Sequence, residues 1–271
     1  MERIRTAFSR LRRAHRTALI PFIMGGYPSL ALTGPLLLAL QEAGADLVEV
    51  GIPFSDPLAD GPTIQAASAA ALRRGATPQA VLRAVASVRR RLRIPVLCLT
   101  YWNPVAQFSI GSGPPSPERF LRAAAASGID GLIVPDLPVE EGQRWHRAAR
   151  RAGIATVFLA APTSPPHRLR LVARASEGFI YYVSVTGTTG IRRRLPEGVL
   201  HGVRQLKLLT TKPVCVGFGI STPAQAAAVA RVADGVIIGS ALIRALDGAA
   251  APAAVRRRAL AFVGRFRSAL G

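Results

Sequence analysis

Short apolar runs alternate with amphipathic, Ala- and Arg-rich segments along the whole chain, and that alternation narrows the fold more than any single motif. The apolar runs fall at 19–24, 46–52, 95–101, 131–135, 155–160, 179–185, 213–218 and 235–238. Helical segments are predicted at 29–43, 63–74, 78–92, 117–127, 140–152, 165–176, 197–209 and 222–232, with a last helix at 252–269. Nearly continuous apolar strands, each followed by a helix, indicate a parallel sheet buried on both faces. Eight such units suggest closure into an α/β fold of the (β/α)8 TIM-barrel type, and 271 residues suit one barrel, so a single domain over 1–271 is expected. The competitor is an open doubly wound sheet. It would carry a G-x-G-x-x-G turn after the first strand, where this chain has MGGYPS, Met24 to Ser29. Gly25-Gly26 reads as a tight turn rather than a phosphate cradle. Ser116-Pro117-Glu118 and Ser221-Thr222-Pro223 mark helix starts, with proline in the first turn.

Composition sets outer limits. Hydrophobic residues make up 49% of the chain and mean hydropathy is +0.28, enough for a large core, while no apolar run reaches the roughly 18 residues that span a bilayer. A soluble, cytoplasmic protein is expected. The opening MERIRTAFSRLRRAHR is an amphipathic basic helix without a secretory apolar core. An organelle transit segment is conceivable from it alone, but Glu2 and the direct run into ALIPFIM favour an ordinary extra N-terminal helix. Cys98 and Cys215 stand alone in apolar runs and form neither a zinc set nor a disulfide framework, which fits a reducing compartment. The net charge of +20 comes almost wholly from Arg, as in Arg89-Arg90-Arg91, Arg150-Arg151 and Arg256-Arg257-Arg258. These clusters lie on predicted helix faces and ends, spread along the chain, so a solvated Arg-biased surface is favoured over a specific nucleic-acid site.

One residue breaks the pattern. Glu49 sits within the apolar second strand, in VEVGIPFSDPLADGPTI, Val48 to Ile64. Burying a carboxylate costs several kcal/mol unless something compensates it. Period-two alternation puts Leu47, Glu49 and Gly51 on one strand face and Val48, Val50 and Ile52 on the other. In a barrel the outer face meets helices, so Glu49 should point inward near the mouth, where burial raises its pKa for proton transfer. The loop that follows holds Asp56 and Asp60 between prolines at 53, 57 and 62. Loop chemistry alone fits either acid equally well as a turn cap or as a functional carboxylate.

Glycine-containing turns follow the last three strands, in SVTGTTGIR, VGFGIS and IIGSAL. Barrel enzymes commonly hold phosphate there, on backbone N–H groups and the start of a short extra helix. Gly239-Ser240 opening SALIRAL fits such a short phosphate-binding helix after strand 8. Phe22, Tyr101, Tyr181 and Phe218 near strand ends either line a slot for a planar substrate or are ordinary core. The histidines at 15, 146, 167 and 201 fall in helical segments away from the strand ends, which disfavours a triad or a metal set.

The run LVEVGIPFSDPLADGPTIQ, with PFIMGGYP, VPDLPVEE, YYVSVTGTTG, VGFGIS and ADGVIIGSA, resembles the tryptophan synthase alpha subunit family over nearly the whole chain. The resemblance implies retro-aldol cleavage of indole-3-glycerol phosphate to indole and glyceraldehyde 3-phosphate, with no cofactor or metal in this chain. It implies a beta-subunit partner that carries pyridoxal phosphate, in an alpha2beta2 heterotetramer. Glu49 matches the family's general acid/base and Asp60 the carboxylate that accepts the indole N–H. Tyr181 matches the active-site tyrosine, and Phe22, Ile64 and Phe218 match indole-pocket positions. Gly190, Gly219, Gly239 and Ser240 match the phosphate cradle, and Thr189 the loop that closes over Asp60. Pro53, Asp56 and Pro57, with the loop after the third strand, match the face turned toward the beta subunit. Two features depart from the family pattern: the +20 charge and a long irregular stretch, 103–116. A stand-alone lyase, a different phosphate-binding barrel and a basic RNA-associating protein without catalysis remain the alternatives.

Overall fold

The structure, a computed structural model, describes residues 1–110, 113–183 and 197–271. Its strands are β1 (Ala18–Met24), β2 (Val48–Gly51), β3 (Val96–Leu99), β4 (Gly131–Ile133), β5 (Ala155–Val157), β6 (Leu159–Ala160), β7 (Ile180–Val183), β8 (Val214–Gly217) and β9 (Gly235–Ile238). They form one parallel sheet in the order β5-β4-β3-β2-β1-β9-β8-β7-β6. The sheet's two ends, β5 and β6, are consecutive pieces of one strand parted by Phe158, so the sheet curls into a barrel with a single interruption. Eight strands were expected and nine segments are found, because the fifth changes partner midway. Residues before Phe158 pair with β4 and those after it with β7. The Phe158 amide leaves the ladder for Ser176 Oγ at 3.2 Å, while its carbonyl accepts from Tyr181 N–H at 3.2 Å.

The surrounding helices are α1 (Glu2–Arg13), α2 (Leu30–Glu42), α3 (Pro62–Arg73), α4 (Pro78–Val88), α5 (Trp102–Ala106), α6 (Pro117–Ala126), α7 (Gln143–Arg151), α8 (Pro166–Ala175), α9 (Glu197–Leu208), α10 (Pro223–Ala230), α11 (Ser240–Leu246) and α12 (Pro252–Ala269). Ser116 Oγ accepts from Arg119 N–H to cap α6, and Thr222 with Gln225 closes a capping box on α10 just ahead of Pro223. Alternation sorts the strand residues as anticipated. Val48, Val50, Val96, Cys98, Val216 and Val236 pack outward against the helices. Ile20, Phe22, Leu47, Leu97, Ile133 and Tyr181 fill the barrel.

The basic N-terminal segment buries its apolar face in the bottom of that inner core. Ile4, Phe8 and Leu11 are buried there, and the Phe8 ring lies 5.7 Å from that of Phe179. Ile4 fits because two glycines leave room for it: a Cβ on Gly178 would lie 2.8 Å from Ile4 Cγ2, and one on Gly131 3.0 Å from its Cδ1.

Three expectations are corrected. The stretch 103–116 opens with a short helix, α5, because the Trp102 amide is held by Asp136 Oδ1 and Oδ2 at 2.9 and 3.0 Å. His15 is not helical; at φ +52° it ends α1 in the left-handed region. The arginine clusters are not wholly solvated either. Arg89 is largely buried and bonds Asp130 at 2.7 Å, and Arg267 bonds Asp46 at 2.9 Å, each serving a carboxylate that also takes a strand amide.

Candidate active site

Glu49 lies on the inner face of β2, in register with Phe22 on β1 and Leu97 on β3. It is fully buried, and neither carboxylate oxygen has a hydrogen-bond partner among the described residues. Burial first, and then the charge of nearby Asp60, push its pKa from the ordinary 4.5 up to about 8. At neutral pH Glu49 therefore holds its proton.

Asp60 reaches the same slot from the loop after β2. That loop is pinned on both sides. Ser68 Oγ on α3 accepts from Phe54 N–H and donates to Phe54 O, both at 2.9 Å. The Ala59 N–H donates to the Tyr101 hydroxyl at 3.1 Å, and Gln65 Nε2 donates to Asp60 O at 2.9 Å. The Asp60 side chain is buried rather than capping the loop from outside. Burial raises its pKa to about 6, and the Tyr101 hydroxyl facing it works in the opposite direction. Asp60 is thus mostly ionised at neutral pH while Glu49 is not. Two carboxylates with different protonation states, set by environment, constitute an acid/base assignment.

The walls are apolar. Tyr181, buried on β7, faces both acids, whose charges add to burial in keeping its phenol protonated. Its ring lies 5.7 Å from that of Phe218. Phe22 is packed so closely that a Cβ on Gly51 would lie 2.7 Å from its Cζ. A Cβ on Gly239 would lie 3.3 Å from Phe22 Cδ1 and 3.6 Å from Ile64 Cδ1, so Phe22, Ile64 and the start of α11 share one wall. After β8 the backbone turns through Phe218 at φ +66° and Gly219 at φ +76°. A non-glycine residue in that region stores on the order of 1 kcal/mol of strain, a cost concentrated at functional turns.

These contacts bring Glu49, Asp60, Tyr181, Phe22, Ile64, Phe218, Gly219, Gly239 and Ser240 to the carboxyl-terminal mouth of one barrel. The match of the chain to the family model for the tryptophan synthase alpha chain, over residues 8–270, decides the lineage. The chain belongs to the tryptophan synthase alpha chain family. A tryptophan synthase alpha chain from Gloeobacter violaceus is 51% identical over 92% of this chain and 88% of its own. One from Geobacter sulfurreducens is 45% identical over the full length of both. Among solved structures, tryptophan synthase from M. tuberculosis in its aminoacrylate-bound form matches with a TM-score of 0.86 at 36% identity, covering 99% of each chain. The alpha subunit from Legionella pneumophila matches with a TM-score of 0.86 at 33% identity, covering 99% of this chain and 98% of that one.

Thr189 and Gly190 lie outside the described residues. Of the positions expected to face a partner, Asp56 is exposed and Pro57 half-buried, whereas Pro53 is buried beneath the loop. The Gly25-Gly26 turn is no phosphate cradle: the Gly25 amide is bonded to Gly51 O at 2.8 Å and that of Gly26 to Thr33 Oγ1 at 3.0 Å. Among the described residues no group of three or more His, Cys, Asp and Glu is arranged to hold a metal ion, and no helix is long and apolar enough to cross a membrane. Two surface clefts, of about 540 and 300 Å³, lie along α8 and beneath α1, away from this mouth. Sequence reasoning missed the parts that Ser68 and Tyr101 play in holding the acidic loop; the aromatic ending the third apolar run was the available signal.

Proposed function

We propose that this chain cleaves indole-3-glycerol phosphate to indole and glyceraldehyde 3-phosphate, with Glu49 as general acid/base and Asp60 as the anion that steadies the indole nitrogen. The observation that carries the assignment is the pairing of a buried Glu49, without a hydrogen-bond partner among the described residues, with an Asp60 of lower pKa in the same slot. Protonated Glu49 delivers its proton to C3 of the indole ring. Positive charge then develops on the ring N–H, where Asp60 accepts a hydrogen bond and lowers the energy of that state. The carboxylate left on Glu49 next takes the proton from the glycerol hydroxyl next to the ring. That oxygen's electrons form the aldehyde carbonyl, the carbon–carbon bond breaks, and its electron pair restores the neutral indole. Glu49 ends protonated, as it began.

Phe22, Ile64, Tyr181 and Phe218 form the apolar slot for the ring. Gly219, Gly239 and Ser240, with Gly190, hold the phosphate, and Thr189 closes over Asp60. The chemistry needs no cofactor in this chain; pyridoxal phosphate belongs to a beta-chain partner, in an alpha2beta2 assembly in the cytoplasm. Exposed Leu58, 83% accessible, and Ile110, 55% accessible, stand on the two loops beside the mouth and suit a protein interface there, with Asp56 and Pro57 alongside.

The test is indole release from indole-3-glycerol phosphate, with and without a beta subunit, for the native chain, Glu49→Gln and Asp60→Asn. Glu49→Gln should lose nearly all activity, and Asp60→Asn about 10²–10³-fold. The native kcat/KM should rise through pH 6 as Asp60 ionises and fall through pH 8 as Glu49 loses its proton. Near-native rates in both variants would overturn the assignment.

A further inference from the structure

We propose that Tyr101 is the positioning residue of Asp60: its hydroxyl accepts the Ala59 amide and donates to the Asp60 carboxylate, fixing the height and orientation of the acid in the slot. The inference deepens the reaction assigned above and rests on it.

Tyr101 stands where β3 gives way to α5, as the residue capping that helix. Its side chain is buried, with the ring 5.4 Å from that of Phe54 at an interplanar angle of 32°. Phe54 and Ala59 belong to the same loop, so Tyr101 holds that loop at two points on either side of its exposed tip. The post itself is fixed, because the next amide, Trp102 N–H, is bonded by both oxygens of Asp136. A phenol oxygen whose lone pair is taken by an amide still has one O–H to donate. The carboxylate it faces is Asp60, whose anion it favours. Burial and the Asp60 charge keep that phenol protonated, so the donor persists through the working pH range.

Among the described residues, the titratable groups facing Asp60 are Glu49 from β2, Tyr101 from the end of β3 and Tyr181 from β7, and Asp136 faces Tyr101 from beyond β4. Only the Tyr101 hydroxyl among them offers Asp60 stabilisation of its anion. Without it, no described side chain opposes the effect of burial on the acid, and among the described residues the loop keeps its Ser68 and Gln65 side-chain anchors.

Tyr101→Phe removes the hydroxyl and retains the ring contact with Phe54. Carbon-13 carboxyl titration of the native chain and of the variant, without substrate, reads Asp60 directly. The expected result is a rise of about one unit in its midpoint. In kinetics, kcat should fall about tenfold, as expected for loss of one hydrogen bond to a charged group, and the acidic limb of kcat/KM should move up with the titration. Adding Tyr101→Phe to Asp60→Asn should cost less than threefold further, because the two residues act as one unit. Replacing Tyr101 by 3-fluorotyrosine, a more acidic phenol of the same shape, should shift the midpoint the other way. An unchanged Asp60 midpoint in both variants, or losses that multiply in the double variant, overturns the proposal. Should Asp60→Asn keep native activity while the titration shift appears, the reaction assignment fails and the positioning stands.

Discussion

Replacing Glu49 by Gln should make the protein more stable in alkali as it destroys activity. The folded chain holds the Glu49 proton up to about pH 8, whereas the unfolded chain releases it near the ordinary 4.5. Between those values only the unfolded state gains the free energy of ionisation, so stability falls as pH rises. Integrating the linkage for these two values gives a loss of about 3 kcal/mol between pH 5 and pH 8, with the full stability present only below the unfolded-state value. Glu49 is fully buried, so solvent screening does not reduce the figure. Glutamine has nearly the same shape, meets the same lack of polar partners, and carries no proton to lose. Urea unfolding of both proteins at pH 5 and pH 8 isolates the effect. The difference in stability between Glu49→Gln and the native chain should grow by about 3 kcal/mol over that interval. Asp60 titrates in both proteins and largely cancels. Parallel pH dependences would show that Glu49 ionises freely in the folded protein, and the acid role would fall with the burial argument.

Gly51→Ala would place a methyl 2.7 Å from Phe22 Cζ and 3.2 Å from Met24 Cε, so the Phe22 ring must move within the slot. It should destabilise the chain by about 1–3 kcal/mol and lower kcat/KM, checked by urea unfolding and by steady-state indole release; native values for both would deny the close packing of Phe22. Ile110→Asp, at the exposed rim, should weaken association with a beta chain by tenfold or more, read by titration calorimetry. Unchanged affinity would move the interface away from this loop.

The barrel was legible because its signals are local and repeated. Alternation along β2 put Glu49 inside from seven letters of sequence, and Ser116 and Thr222 announced their helices through capping chemistry. What escaped was set by contacts between distant segments. The break at Phe158 depends on Ser176, 18 residues on, competing for a strand amide. The helix at Trp102–Ala106 depends on Asp136, and the burial of Arg89 on Asp130 just before β4. The capping alternative left open for Asp60 is closed by burial, which in a loop dense with proline no local pattern reports. Tyr101 was visible as a possible pocket aromatic, but its hydroxyl acquires a role only once the β2 loop folds over the end of β3.

The +20 charge bears on the chemistry through where it lies. A chain with this excess of arginine would be expected to depress the pKa of its carboxylates, and that would spoil an acid such as Glu49. Yet both acids are raised, by burial above all, and no arginine among the described residues contributes to either shift. The barrel explains it. Period-two strands admit only one face to the interior, and most of the described arginines ride on the helices outside, on the N-terminal helix, or in pairs with Asp46 and Asp130. Exposed charges farther than a Debye length, about 8 Å at physiological salt, are largely screened. The exterior can therefore drift to strong basicity while the slot keeps one protonated and one ionised carboxylate. An arginine introduced within the slot, unlike one added to any helix exterior, would lower both pKa values and collapse that difference.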